Sequence, residues 1–171
     1  MKLDDVTIEM SILPDYEESG ESVRQIGRSK FEVSVDEFLT MKTKVHNRSE
    51  SFIDPLLRLQ PSLSNLPHNT ALDLDKRLSW TGVLQRKLPL LAPGQTVESE
   101  LGIVALCSGI FEVGATIEEI RLWNKEKEGQ DGSRARSDTN FLQGHLLGNV
   151  GLRTWHAKES CWIVAKRRGM D

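Results

Sequence analysis

Apolar and polar residues alternate along most of this chain, and a period of two belongs to strands half buried in a sheet. Val6, Ile8, Met10 and Ile12 alternate with Thr7, Glu9 and Ser11 until Pro14-Asp15 stops the run. Phe31, Val33 and Val35 alternate with Glu32, Ser34 and Asp36. Leu39, Met41, Thr43 and Val45 then share one face, Thr40, Lys42, Lys44 and His46 share the other, and Asn47-Arg48-Ser49 is the turn that follows. Leu101, Ile103, Ala105 and Cys107 repeat the pattern, as do Phe111, Val113, Ala115 and Ile117. Ser108-Gly109 between these two runs is a candidate tight hairpin. The last predicted strand is Ser160 to Lys166, within CWIVAK.

Other segments are less regular. Residues 15–30 are polar and read as a loop. Ile53 to Leu59 is a short apolar strand interrupted by Pro55, which points to an edge or a bulge. Residues 61–76 read as loop, strand character returns from Leu78 to Leu88, and Pro93-Gly94 marks a turn. Residues 124–140 hold four bases, four acids and no apolar residue beyond Ala135, so they cannot join a core and read as a flexible insertion. In 141–152, leucines at helical spacing are opposed by Gly144, Gly148 and Gly151. Seven or eight short strands with no long helix describe an all-β antiparallel β-sandwich. It forms a single domain over residues 1–171, with 1–30 partly loop. Leu39, Met41, Val45, Leu101, Ile103, Ala105, Phe111, Val113, Ala115, Ile117, Ile163 and Ala165 are expected to share one interior.

Composition narrows the class. With 171 residues, 38% hydrophobic and 27% charged, the chain can bury one sizeable core without staples. Its longest apolar run is far short of the ~20 residues that cross a bilayer, so no transmembrane segment is expected. MKLDDVTIEM has acids where a signal peptide needs an apolar stretch, which predicts a cytosolic protein or a piece of a longer one. A net charge of −3 excludes a strongly basic nucleic-acid binder. The charge is uneven all the same: residues 1–21 carry one base and seven acids, and Lys166, Arg167 and Arg168 form a basic run near the end.

Candidate chemistry is thin. Cys161, Glu159 and His156 lie close in sequence, but their spacing matches no nucleophilic motif and Cys161 sits in an apolar run. His46, His68, His145 and His156 form no metal-ligating pair, and no glycine-rich loop could cradle a phosphate, so neither metal nor cofactor is expected. Cys107 and Cys161 read as free thiols. Asn47-Arg48-Ser49 fits the glycosylation sequon, but is more simply a polar turn. Four of ten aromatic residues are Trp, whose large body and single N–H suit it to cores and to interface hot spots.

One segment is more specific than its periodicity. RLSWTGVLQRKLPLLAPGQTVESELGIVALCSGIFEVGATIEEIRLW (77–123), preceded by VHNRSESFIDPLLRLQPSL (45–63), resembles the C-terminal immunoglobulin-like region of a large TRAPP II subunit. That subunit is hypercellular protein A in filamentous fungi and TRAPP subunit nine in animals. WHAKESCWIVAKR (155–167) looks like the closing strand of the same region, and the resemblance spans roughly 31–167 apart from the polar insertion. It implies an immunoglobulin-like sandwich in a cytoplasmic complex, peripheral to the Golgi, that tethers vesicles and exchanges nucleotide on Rab GTPases. The exchange chemistry is attributed to small core subunits, so a module of this kind would act in assembly.

The resulting expectation is a non-catalytic protein-interaction module that binds other TRAPP II subunits and, through them, a Rab GTPase; self-association stays open. Strand edges and end loops would carry the contact. Trp123 and Trp155 are the expected anchors because they border the polar insertion, with Lys166, Arg167 and Arg168 influencing encounter. Two other readings stand beside it. An extracellular adhesion-type or ligand-binding sandwich is disfavoured by the absent signal peptide and Cys…Trp…Cys pattern. A jelly-roll or barrel enzyme is disfavoured by the lack of clustered histidines and carboxylates.

Overall fold

Each strictly alternating run is a strand, and the runs assemble into two facing sheets. The computed structural model describes residues 4–15, 22–63, 74, 76–122 and 150–169. In chain order the strands are β1 (Val6–Pro14), β2 (Val23–Gly27), β3 (Lys30–Ser34), β4 (Leu39–Asn47), β5 (Leu56–Leu63) and β6 (Leu78–Thr81). They continue with β7 (Gln85–Lys87), β8 (Thr96–Ala105), β9 (Gly109–Leu122), β10 (Val150–His156) and β11 (Cys161–Lys166). One sheet has four strands in the order β1-β4-β8-β6. The other has seven, ordered β2-β3-β11-β9-β5-β7, with β10 also on β9. β10 pairs with Thr116–Leu122 and β11 with Gly109–Val113. Since β5 occupies the opposite edge of β9 across both stretches, β10 and β11 run end to end along one edge.

The expected all-β sandwich is present, more finely divided than its periodicity suggests. Eleven strands stand among the described residues where seven or eight were expected, for three reasons. Polar residues 15–30 contain β2, exposed on both faces beyond the half-buried Val23 and bulged between Gln25 and Gly27, so it carries no alternation to detect. Leu78 to Leu88 is two strands in different sheets, β6 and β7. β10 begins inside the ambiguous 141–152 stretch. Ser108-Gly109 is not a hairpin: β8 is already paired with β4 and β6, and the chain crosses to the other sheet to begin β9. Pairing is antiparallel throughout except between β3 and β11, which run parallel. Pro55 lies just before β5, and Ile53 instead bridges Leu91. The insertion 124–140 lies outside the described residues.

The core sits between the sheets. Of the twelve residues expected inside, all are buried but Leu101, which packs half-buried at its margin. β6 covers only Gly102–Ala105 of β8, so upstream of Gly102 that strand has an open edge and Leu101 stays partly wet. Gly102 itself permits the close approach of β6, because a Cβ there would strike the Thr81 side chain. Val6, Ile8, Ile12, Phe31, Leu57, Leu78 and Leu91 complete the interior. Asn47 is the main polar intruder, wholly buried yet satisfied. Its Nδ2 donates to the carbonyls of Ser51 (2.8 Å) and Leu91 (3.0 Å), and its Oδ1 accepts from the Ser49 N–H (2.9 Å) and hydroxyl (2.7 Å). The sequon is thus a structural turn with its amide locked inside.

Candidate functional site

β1 pairs with β4 over all nine residues, and the pairing phase determines what its other edge offers. Asn47 donates its backbone N–H to Gln95 (3.0 Å) and accepts from the Gly94 N–H (2.8 Å), so both its backbone groups face away from β1. Its partner Val6 therefore makes no ladder bond to it, and the antiparallel alternation repeats this at Ile8, Met10 and Ile12. The Asp5 carbonyl accepting from the Arg48 N–H at 2.7 Å confirms the phase. Val6, Ile8, Met10 and Ile12 thus bury their side chains while aiming backbone N–H and C=O outward. Among the described residues, no backbone hydrogen bond joins β1 to anything beyond the β4 side.

Across from this edge lies the other sheet. The β2–β3 turn brings Arg28 and Ser29, and the bend from β10 into β11 brings His156, Lys158 and Glu159. Together with Lys42, Lys44 and Arg48 from the β4 side they enclose a cleft of about 700 Å³ along β1. Cations outnumber acids on its walls. Lys42 Nζ lies 2.8 Å and Lys44 Nζ 3.7 Å from the Glu98 carboxylate. The hydrogen bond from Lys42, with the nearby lysine charges, holds Glu98 below the usual carboxylate range and raises Lys42 in turn. Arg28 pairs with Glu159 at 3.5 Å and Lys158 with Asp4 at 3.4 Å, all four side chains largely in solvent. The Arg48 guanidinium has no carboxylate partner among the described residues.

Of the residues expected to carry binding, those the structure describes do not line this cleft. Trp123 lies outside the described residues. Trp155 is half-buried against the core, with the Arg153 guanidinium 5.0 Å from its ring centroid. Arg153 donates from Nε (3.1 Å) and Nη2 (2.6 Å) to Oε1 of buried Glu119, whose Oε2 accepts from the Asp54 N–H at 2.8 Å. This Trp155 face is therefore built into the end of the β9–β10 pair. Lys166 and Arg168 pair with Glu32 (2.7 Å) and Glu37 (3.3 Å), while Arg167 is exposed. The hydrogen bond from Lys166, assisted by Arg24, lowers the Glu32 pKa. The structure separates the Cys161–His156 pair. Cys161 points into the core, where burial pushes its thiol up to about 12, while His156 is exposed with Nδ1 3.3 Å from the Thr116 hydroxyl. Among the described residues, no group of three His, Cys, Asp or Glu could hold a metal ion, and no helix is long and apolar enough to cross a membrane.

The cleft escaped sequence reasoning because its cations come from three separate segments that only the sheet order unites. The alternation of β1 was visible, but an open edge is a property of neighbours.

Two facing, mainly antiparallel sheets around one core define an immunoglobulin-like β-sandwich. The family model described as Trs120/TRAPPC9, fourth Ig-like domain, matches residues 6–166. The chain belongs to that family, and so to the domains of a TRAPP II subunit. No curated protein matches it. Among solved structures it is similar to the crystal structure of a FixG-related protein from Vibrio parahaemolyticus, at 11% identity and a TM-score of 0.41. That match covers 96% of this chain and 99% of the other, a likeness too loose to bear on function.

Proposed function

We propose that this domain is a non-catalytic interaction and assembly module of a TRAPP II-type vesicle-tethering complex, and that it docks through the open edge of β1. Its setting would be the cytoplasm at the Golgi periphery, with other TRAPP II subunits as direct partners and a Rab GTPase reached through them. The observation that carries the reading is the nine-residue edge with four consecutive outward N–H and C=O pairs, fronted by a cleft. Unpaired edges of this length invite a partner strand. Trp155, beside His156 on the cleft wall, and Trp123 remain the proposed aromatic anchors. Arg167, free of the pairs that engage Lys166 and Arg168, would influence encounter.

Capture of the other TRAPP II subunits by the purified domain tests this. Met10→Pro removes one outward N–H at the least buried of the four inward positions and sets a ring on the edge. With folding verified by circular dichroism, capture should fall strongly in this variant and weaken in Trp155→Ala. Undiminished capture by Met10→Pro would remove β1 from the mechanism, and no capture by the parent would end the assembly role for this domain.

A further inference from the structure

We infer that the β1 cleft takes an acidic, extended peptide segment of a partner protein, added as a strand to β1 with carboxylates directed at Arg28, Arg48 and Lys158. This rests on the docking role proposed for β1 and specifies its ligand. From Val6 to Ile12 the open edge spans roughly 20 Å at ~3.3 Å per residue, the length of an ordinary strand. Other edges serve less well: β6 has four residues, β7 three, β2 is bulged, and the open stretch of β8 is crossed by Arg86, which donates to the Glu100 carbonyl at 3.4 Å. β10 approaches β1 from the opposite sheet, and its last residue, His156, stands on the cleft lining.

The charge of those walls selects the occupant. Arg28 and Lys158 have solvent-exposed partners at 3.4–3.5 Å, which a competing carboxylate can exchange at little cost, and Arg48 has no carboxylate partner to give up among the described residues. Along the cleft floor, the flanks of Ile8, Met10 and Phe31 are apolar. A segment alternating acidic and apolar residues therefore matches both surfaces at strand period.

Amide NMR of the labelled protein, titrated with the octapeptides (Glu-Val)4 and (Lys-Val)4, tests the inference. The acidic peptide should shift the amides of Val6, Ile8, Met10 and Ile12 more than those of Thr7, Glu9 and Ser11, and slow their hydrogen exchange. It should bind about tenfold more tightly than the basic one, and Arg48→Glu with Lys158→Glu should weaken it about tenfold, less at high salt. Both substitutions lie on exposed side chains. Equal binding of the two peptides, shifts centred away from β1, or no saturation at millimolar peptide overturns the inference. So does a self-dimer that broadens the same four amides without peptide, or displacement by an oligothymidylate. If Met10→Pro abolishes subunit capture while the peptides do not discriminate, edge docking stands and the acidic ligand falls. If (Glu-Val)4 pairs with β1 while capture ignores Met10→Pro, the docking reading falls instead.

Discussion

Two buried residues make the chemistry of single side chains measurable. Asn47 satisfies two carbonyls, one N–H and one hydroxyl from three different segments. Asn47→Ala would strand those groups inside, and urea denaturation should show a loss of about 2–4 kcal/mol, since each orphaned buried group costs ~1–3 kcal/mol. A loss under about 0.5 kcal/mol, the range of ordinary surface changes, would show that water replaces the amide. Cys161 gives a pH dependence. Its folded pKa, about 12, lies above the unfolded value of 9.0, so the folded state keeps the proton that the unfolded state releases. The associated stability is fully present below pH 9 and declines as pH rises toward 12, by about 1.4 kcal/mol per unit. Comparing the parent with Cys161→Ala at pH 8 and pH 10.5 isolates this slope. Equal slopes would mean that the thiol is wet.

At the scale of elements, β9 is the hub, shared by β5, β10 and β11. Phe111 sits fully buried where β9 meets β11, opposite Ile163. Phe111→Ala should cost ~3–5 kcal/mol through lost transfer energy and the cavity left behind. A cost under about 1 kcal/mol would contradict the burial of this face. The inward phase of β1, β4, β9 and β11 was legible because one buried and one wet face impose strict alternation, and a one-residue slip would reverse every side chain. β2 was not legible, since a bulged strand exposed on both faces after Val23 has no hydrophobic period. Neither was the change of sheet after β8, because alternation reports which face is buried and never which strand is adjacent. For the same reason the cleft was hidden: Arg28, Arg48 and Lys158 are distant in sequence and meet only through sheet order. The aromatic anchors drew attention by residue type, yet the ring of Trp155 is largely committed to Arg153 and the core.

Taken whole, the molecule is a sandwich whose two sheets are completed at different times. All four strands of the smaller sheet lie within residues 6–105, whereas the larger needs β11, which inserts between β3 and β9. Pairings this distant place the domain among slow folders, on the order of milliseconds to seconds. Stopped-flow refolding of Ile163→Ala should therefore show nearly parental refolding rates and faster unfolding if β11 docks after the barrier. Slowing of refolding by the full loss in stability would place this strand in the nucleus instead.

The parallel pairing of β3 with β11 also has a bearing on synthesis. Until Cys161 to Lys166 have left the ribosome, the larger sheet exists as two disconnected pieces, a β2–β3 hairpin and a cluster around β9. Phe31 and Phe111, both buried in the finished domain, then lack the strand that joins their neighbourhoods. The nascent domain must hold an open apolar wound through most of its own synthesis, at ~5–20 residues per second. A premature stop anywhere ahead of the final strand would thus release a sticky intermediate for chaperones and proteases, and leave no smaller working version of the domain.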